Sequence, residues 1–172
     1  MRNRSNLEEL QWSDFFTQEL FFEQMMDNAL VNHHVYLVPP SESSVLFVMH
    51  HGAGSSGLSF ATCTVELRKI LPKAGMLSLD AREHGSTTTT SRDGEAAEYD
   101  LRLETLSQDL VFVIHQVQER LGWENLPDIV LVGHSLGGSV VTDVAQRGDL
   151  GSKLLAYAVL DVVEGEHIHL RV

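Results

Sequence analysis

Ile129-Val130-Leu131-Val132-Gly133-His134-Ser135-Leu136-Gly137-Gly138 is the stretch whose reading decides the fold. Four apolar residues in a row describe a strand buried on both faces, a habit of parallel sheets. The next five residues have the form G-x-S-x-G. Beyond them Leu136, Val140 and Val144 share one helix face, and Gly148 ends the helix. Strand, sharp turn and helix in that order make a nucleophile elbow. The glycines let the chain turn sharply and let strand and helix pack closely. Ser135 is left at a helix start, where free N–H groups and the helix dipole favour developing negative charge. A serine N-cap in a nucleotide-binding turn is the structural alternative. Gly133, Gly137 and Gly138 do not have the G-x-G-x-x-G spacing that such a fold needs.

Working outward, Val45-Leu46-Phe47-Val48-Met49 reads as another buried strand, running into the glycine-rich turn His51-Gly52-Ala53-Gly54. A helix is expected from Leu58 to Leu71, stopped by Pro72. Met76-Leu77-Ser78-Leu79 is a short strand ending at Asp80. The Thr87-Thr88-Thr89-Thr90 run opens a polar segment read as a loop. Leu103, Leu106, Leu110, Val113 and Val117 have helical spacing, with Gly122 as the stop. Leu154 to Leu160 is the last strand and ends at Asp161. Val35 to Val38, before Pro39-Pro40, reads as a short edge strand. The aromatics Trp12, Phe15, Phe16, Phe21 and Phe22 read as a helical or irregular arm packed on the body. The alternation of strands and helices implies an α/β fold: a mostly parallel sheet with right-handed crossovers and helices on both faces. Functional groups then belong at the carboxyl ends of the strands.

An acyl-transfer site needs two preorganised N–H donors for the oxyanion. The Leu136 N–H, next after the nucleophile, is one candidate, and the Ala53 N–H of the glycine turn is the other. A triad also needs a carboxylate to orient a histidine. Asp161 follows the serine in chain order at a strand end. Its position alone suits a triad acid or a cap on a following helix equally. Asp80 and Arg82 are read as structural, fixing their loop by charge-assisted hydrogen bonds. His115 and His134 read as packed or surface residues. His33-His34 and His50-His51 lack the partners of a metal site, and Cys63 reads as a small buried residue.

The 172 residues carry 12 Lys and Arg against 24 Asp and Glu, a formal charge of −12. That argues against nucleic acid and against an anionic membrane surface. With 43% hydrophobic residues the chain can bury a core. One cysteine allows no internal disulfide, which favours a reducing, intracellular setting, cytoplasmic or nuclear. Met1 to Leu10 is polar, without the apolar core of a signal peptide.

The motifs His51-Gly52-Ala53-Gly54, Leu79-Asp80-Ala81-Arg82-Glu83-His84-Gly85, Glu104-Thr105 with Asp109, the elbow, and Leu160-Asp161-Val162-Val163-Glu164-Gly165 together resemble protein phosphatase methylesterases, a branch of the α/β-hydrolase fold. The likeness runs from about Trp12 to Gly165, and the Asp-Val-Val-Glu-Gly block is its most particular part. It implies residues 1–34 as an N-terminal arm and 35–172 as the N-terminal portion of an α/β-hydrolase domain. It implies a serine esterase that demethylates the C-terminal leucine methyl ester of the type 2A protein phosphatase catalytic subunit, which is then its partner. Ser135 is the implied nucleophile, Asp161 the triad acid, and Ala53 and Leu136 the oxyanion donors. No cofactor and no metal are implied.

The family's catalytic histidine lies far downstream of the aspartate. Here only His167 and His169 follow Asp161. The expectation is a C-terminally truncated form that is inactive alone, because a serine without its base is a poor nucleophile. For His167 or His169 to substitute, an imidazole must reach both Asp161 and Ser135. Two other readings remain: a non-catalytic module that binds the phosphatase, and a general carboxylesterase for small esters. In either incomplete form the last strand is an exposed apolar edge.

Overall fold

The computed structural model describes residues 11–26, 29–41, 44–91 and 100–161. A single 3-10 turn at Trp12–Asp14 leads into strand β1 (Gln18–Met25) and then β2 (Ala29–Val38). β3 (Leu46–His50) is followed by a 3-10 turn at Gly57–Phe60 and helix α1 (Ala61–Ile70). β4 (Gly75–Leu79) and β5 (Thr88–Ser91) precede α2 (Leu103–Leu121). β6 (Ile129–His134), α3 (Leu136–Arg147), a 3-10 turn at Gly151–Lys153 and β7 (Leu154–Leu160) complete the described chain.

The strands form one sheet in the order β1-β2-β4-β3-β6-β7, with β5 pairing β2 beside the path. β4, β3, β6 and β7 run parallel, and β1 and β2 form an antiparallel hairpin at one side. This is the mostly parallel α/β sheet expected from the sequence. Side-chain alternation sorts it into two layers, because successive residues of a strand point to opposite faces. Val35, Leu37, Leu46, Val48, Leu77, Leu79, Ile129 and Leu131 face one core. Leu106, Leu110, Val113 and Val117 of α2 and Val140, Val141 and Val144 of α3 pack on it. Tyr36, Val38, Met49, Met76 and Val132 face the other core, covered by Phe60, Ala61 and Leu67 around α1 and by Trp12, Phe15 and Phe16. Helices therefore cover both faces. α2 and α3 stop where the sequence places their glycines: Gly122 and Gly148 adopt φ of 66° and 71°, a left-handed cap that costs least for glycine.

The amino-terminal reading needs correction. The aromatic cluster is not a helical arm: only Trp12–Asp14 is helical, and Phe21 and Phe22 lie in β1. Phe22 is buried while Phe21 is 51% exposed, the period of two that a half-covered strand imposes. β2 is no short edge strand. Its ten residues pair with β1, with β4 through Val35–Val38 and with β5 through Ala29–Asn32. A division between residues 34 and 35 would cut this strand in half. The threonine run is likewise not all loop, since Thr88–Ser91 is β5; branched β-carbons suit extended backbone.

β7 pairs with β6 and stands at the end of the strand order. Leu155, Tyr157, Val159 and Leu160 are exposed there, the apolar strand expected from its sequence.

Candidate active site

The parallel strands aim their carboxyl ends at one rim of the sheet, and the motifs gather on it. β6 delivers Ser135, which takes φ 51° and ψ −118°, a conformation that side-chain-bearing residues rarely adopt. Its neighbours force the turn. A Cβ on Gly133 would strike the backbone of Gly137, and one on Gly137 would strike the carbonyl of His50 at the end of β3. The two elbow glycines are therefore required by close backbone approach, and the serine is lifted out exposed between them.

The Ser135 N–H donates to the Leu160 carbonyl at 3.0 Å. This bond ties the elbow to the end of β7, one residue before Asp161. Asp161 itself is exposed and has φ 50°. On the other side of the elbow, the His51-Gly52-Ala53-Gly54 turn presses in from β3. A Cβ on Gly52 would lie 3.0 Å from the Ser135 Cβ and from His134 Nδ1. Leu136 is the first residue of α3, so its N–H has no partner within the helix. Within the turn the N–H groups of Gly54 and Ser55 are bonded, to His84 and to the Gly52 carbonyl. Ser135, Leu136, Ala53 and Asp161 thus lie on the rim that β3, β6 and β7 share. His167 and His169 lie outside the described residues.

The loop after β4 is anchored from below. The Asp80 carboxylate accepts from the Gly57 N–H at 2.7 Å and the Ser86 N–H at 2.8 Å, and pairs with His34 Nδ1 at 2.7 Å. A side chain at Gly85 would collide with it. The other ring nitrogen of His34 meets Glu19 at 2.7 Å. Burial alone would push the His34 pKa down, but the bonds to Asp80 and Glu19 outweigh it and hold it above the ordinary value. Burial pushes Asp80 up, and His34 with the two N–H donors more than reverses this. Both shifts favour the charged pair. Burial, with the carboxylates of Asp80 and Glu19, pushes the Tyr36 hydroxyl up to about 12.

Arg82 is buried and grips Asp109 of α2 with two bonds, Nε at 2.9 Å and an Nη at 2.7 Å. Asp80 and Arg82 thus fix their loop in the way their charges suggest, and Arg82 is buried. In sequence, His33-His34 and His50-His51 lack the partners of a metal site. Both pairs are buried hydrogen-bonding residues. Among the described residues no group of three or more His, Cys, Asp or Glu is arranged to hold a metal ion. No helix among them is long and apolar enough to cross a membrane. A groove of about 410 Å³ lined by Pro40, Trp123, Leu126 and Lys153 lies at the opposite end of the sheet, before β6 and β7, away from Ser135.

Residues 45–166 match the model of the alpha/beta hydrolase family. The chain belongs to that family. It is 68% identical over 164 residues to protein phosphatase methylesterase 1 of Aspergillus oryzae, and 66% identical over 161 residues to that of Aspergillus fumigatus. Each match covers 94% of this chain and 38% of the relative, so the chain spans less than half the length of these curated relatives. The likeness to protein phosphatase methylesterases read from the motifs therefore holds across nearly the whole chain. Among solved structures, a "probable hydrolytic enzyme" of Pseudomonas aeruginosa superposes with a TM-score of 0.62 at 15% identity, over 85% of this chain and 42% of that one. At that identity the likeness speaks for the fold alone.

Proposed function

We propose that this chain carries the nucleophile, acid and oxyanion donors of a protein phosphatase methylesterase. Its substrate in this reading is the C-terminal leucine methyl ester of the type 2A phosphatase catalytic subunit. The supporting observation is Ser135, exposed at φ 51° between β6 and α3 and bonded through its N–H to the strand end that carries Asp161. A strained, presented serine is what an elbow nucleophile requires.

In this reading the Ser135 Oγ attacks the ester carbonyl while a histidine takes its proton. Negative charge collects on the carbonyl oxygen, and the N–H groups of Ala53 and Leu136 stabilise it. Collapse of the tetrahedral intermediate expels methanol, protonated by the same histidine. Water then attacks the acyl-serine and releases the free carboxylate. Asp161 orients the histidine and stabilises its charged form. No cofactor enters. The acidic surface and single cysteine suit an intracellular enzyme, cytoplasmic or nuclear, that docks on a protein partner and not on nucleic acid or membrane.

The test is methanol release from the methylated phosphatase catalytic subunit, with Ser135→Ala as control. The 172-residue polypeptide is expected to stay at the Ser135→Ala background, with p-nitrophenyl esters as well. A polypeptide that continues past Gly165 and supplies the histidine is expected to demethylate the phosphatase. Turnover by the 172 residues alone, lost in Ser135→Ala, would assign the base to a histidine of this chain. Activity of the longer polypeptide on small esters but not on the phosphatase would overturn the substrate assignment.

A further inference from the structure

The turn that bears Ala53 is short of internal constraint beyond its Ser55 N–H to Gly52 carbonyl bond. Glycines flank Ala53 on both sides, Gly54 stands at φ 73°, and Ala53 and Gly54 are exposed. Such a segment loses much backbone entropy on ordering and needs restraint from elsewhere. The restraint comes from two imidazoles. His51, on the turn, donates from Nδ1 to the Gly52 carbonyl at 2.7 Å, and its Nε2 accepts from the Ala81 N–H at 2.9 Å. His84, on the loop after β4, donates from Nδ1 to the Arg82 carbonyl at 2.8 Å, and its Nε2 accepts from the Gly54 N–H at 3.0 Å.

The arrangement is reciprocal. Each ring is held by a carbonyl of its own segment and accepts an N–H from the other segment. The ring centroids are 5.2 Å apart, edge to face. In this arrangement each ring carries its proton on Nδ1, because an Nε2 that accepts cannot carry one. The loop supplying His84 is itself anchored, through Asp80 to Gly57 and Ser86 and through Arg82 to Asp109. The Gly52 carbonyl and the Gly54 N–H are thus both pinned, and the Ala53 peptide between them is oriented.

We propose that His84, with His51 as its counterpart, is a positioning residue that clamps the glycine turn so that the Ala53 N–H faces the carbonyl attacked by Ser135. The role rests on the reading of Ser135 and Ala53 given above; the clamp itself does not. His84 acts on the turn without touching substrate. The Gly54 N–H is exposed, so losing its acceptor leaves it to water and costs the fold little. What is lost is the orientation of the turn, which separates this role from a purely structural one.

Nuclear magnetic resonance on the 172-residue chain tests the clamp directly. Long-range imidazole spectra are expected to place the proton on Nδ1 in both rings. Hydrogen exchange at Gly54 is expected to speed up about tenfold in His84→Ala, the effect of one lost hydrogen bond, with β6 amides unchanged. In His84→Gln, whose side-chain oxygen can take the place of Nε2, exchange is expected to stay near wild type. A proton on Nε2 of His84, or unchanged Gly54 exchange in His84→Ala, overturns the clamp.

A second arm titrates phenylboronic acid into the polypeptide that continues past Gly165 and supplies the histidine. The Ser135 Oγ adds to boron, its proton passes to bulk water, and a tetrahedral borate anion remains beside the oxyanion donors. Binding is expected to disappear in Ser135→Ala, to weaken about tenfold in His84→Ala and to recover in His84→Gln. Full binding in His84→Ala with a released Gly54 overturns the positioning role. Equal binding, or none, in wild type and Ser135→Ala overturns the reading of Ser135 and the role built on it, while the exchange data still decide the clamp.

Discussion

The backbone N–H of Ser135 bonds to the carbonyl of Leu160 at 3.0 Å. This extends the parallel pairing of β6 and β7 by one step, past the His134–Leu160 register. Ser135 and Asp161, 26 positions apart in sequence, are thereby held at neighbouring strand ends. On the proposal that both residues are catalytic, this hydrogen-bonded ladder fixes their side-chain origins before any substrate arrives.

Ser135 holds a positive φ that glycine tolerates and other residues do not. Such strain costs about 1–3 kcal/mol, and glycine's extra unfolded-state entropy recovers about 0.5–1 kcal/mol of that. Ser135→Gly is therefore expected to unfold at a higher urea concentration than Ser135→Ala, by about 1 kcal/mol of stability. Both variants are expected to lack esterase activity in any polypeptide that supplies the base. Equal urea midpoints would mean that the elbow carries no strain.

Gly137→Ala introduces a methyl group against the His50 carbonyl, a backbone atom that cannot swing aside. The expected loss is about 1–3 kcal/mol despite alanine's better helix propensity, since α3 must shift off the sheet. Gly148→Ala meets only open space and is strained by its φ of 71° alone, so its loss is expected near 1 kcal/mol. Urea unfolding of the two variants side by side checks the order.

Arg82 and Asp109 are a buried, bidentate pair joining the loop after β4 to α2. Removing one partner strands the other charge, so Asp109→Ala is expected to cost about 3–5 kcal/mol. Replacing both by apolar residues of similar size, Arg82→Met with Asp109→Leu, is expected to recover most of that loss. Chemical denaturation of the singles and the double, as a double-mutant cycle, measures the coupling.

Burial pushes the imidazoles of His33 and His50 down to about 4 from an ordinary 6.5. A histidine whose folded pKa is depressed is neutral in the fold and takes up a proton on unfolding below 6.5. Stability from these two groups is therefore fully present above pH 6.5 and lost as pH falls toward 4, at about 1.4 kcal/mol per pH unit for each. His34, whose pKa is raised, acts in the opposite sense and loses its contribution as pH rises above 6.5. Below pH 6.5 His34 is protonated in both the folded and the unfolded chain and adds no slope. Urea midpoints from pH 4 to 7 are expected to rise, and to rise less steeply in His33→Gln.

The parallel half of this fold was open to reading because each of its elements carries its own signal. Val45 to Met49 and Ile129 to Val132 are uninterrupted apolar runs, and Gly122 and Gly148 close their helices where the apolar period ends. The hairpin was not. Phe21 and Phe22 are adjacent aromatics, and only pairing with His34 and His33 across the sheet shows that one faces out and the other in. β5 is four residues long and exists as a strand only because Ala29–Asn32 accepts it. The histidines of the rim were missed for a related reason. His51 and His84 are 33 positions apart, and neither has a local pattern that announces a partner.

From sequence alone follow the elbow, the glycine turn, the order of the parallel strands with their helices and the family they spell, because backbone sterics and hydrophobic period are written in neighbouring residues. Tertiary structure alone decided that β6 and β7 bring Ser135 beside the strand end of Asp161, that Arg82 spends its charge on Asp109, and that His51 and His84 clasp two loops together. Those are contacts across tens of residues, where the hydrogen-bond partner is chosen by the sheet's register and not by the chain's local preferences.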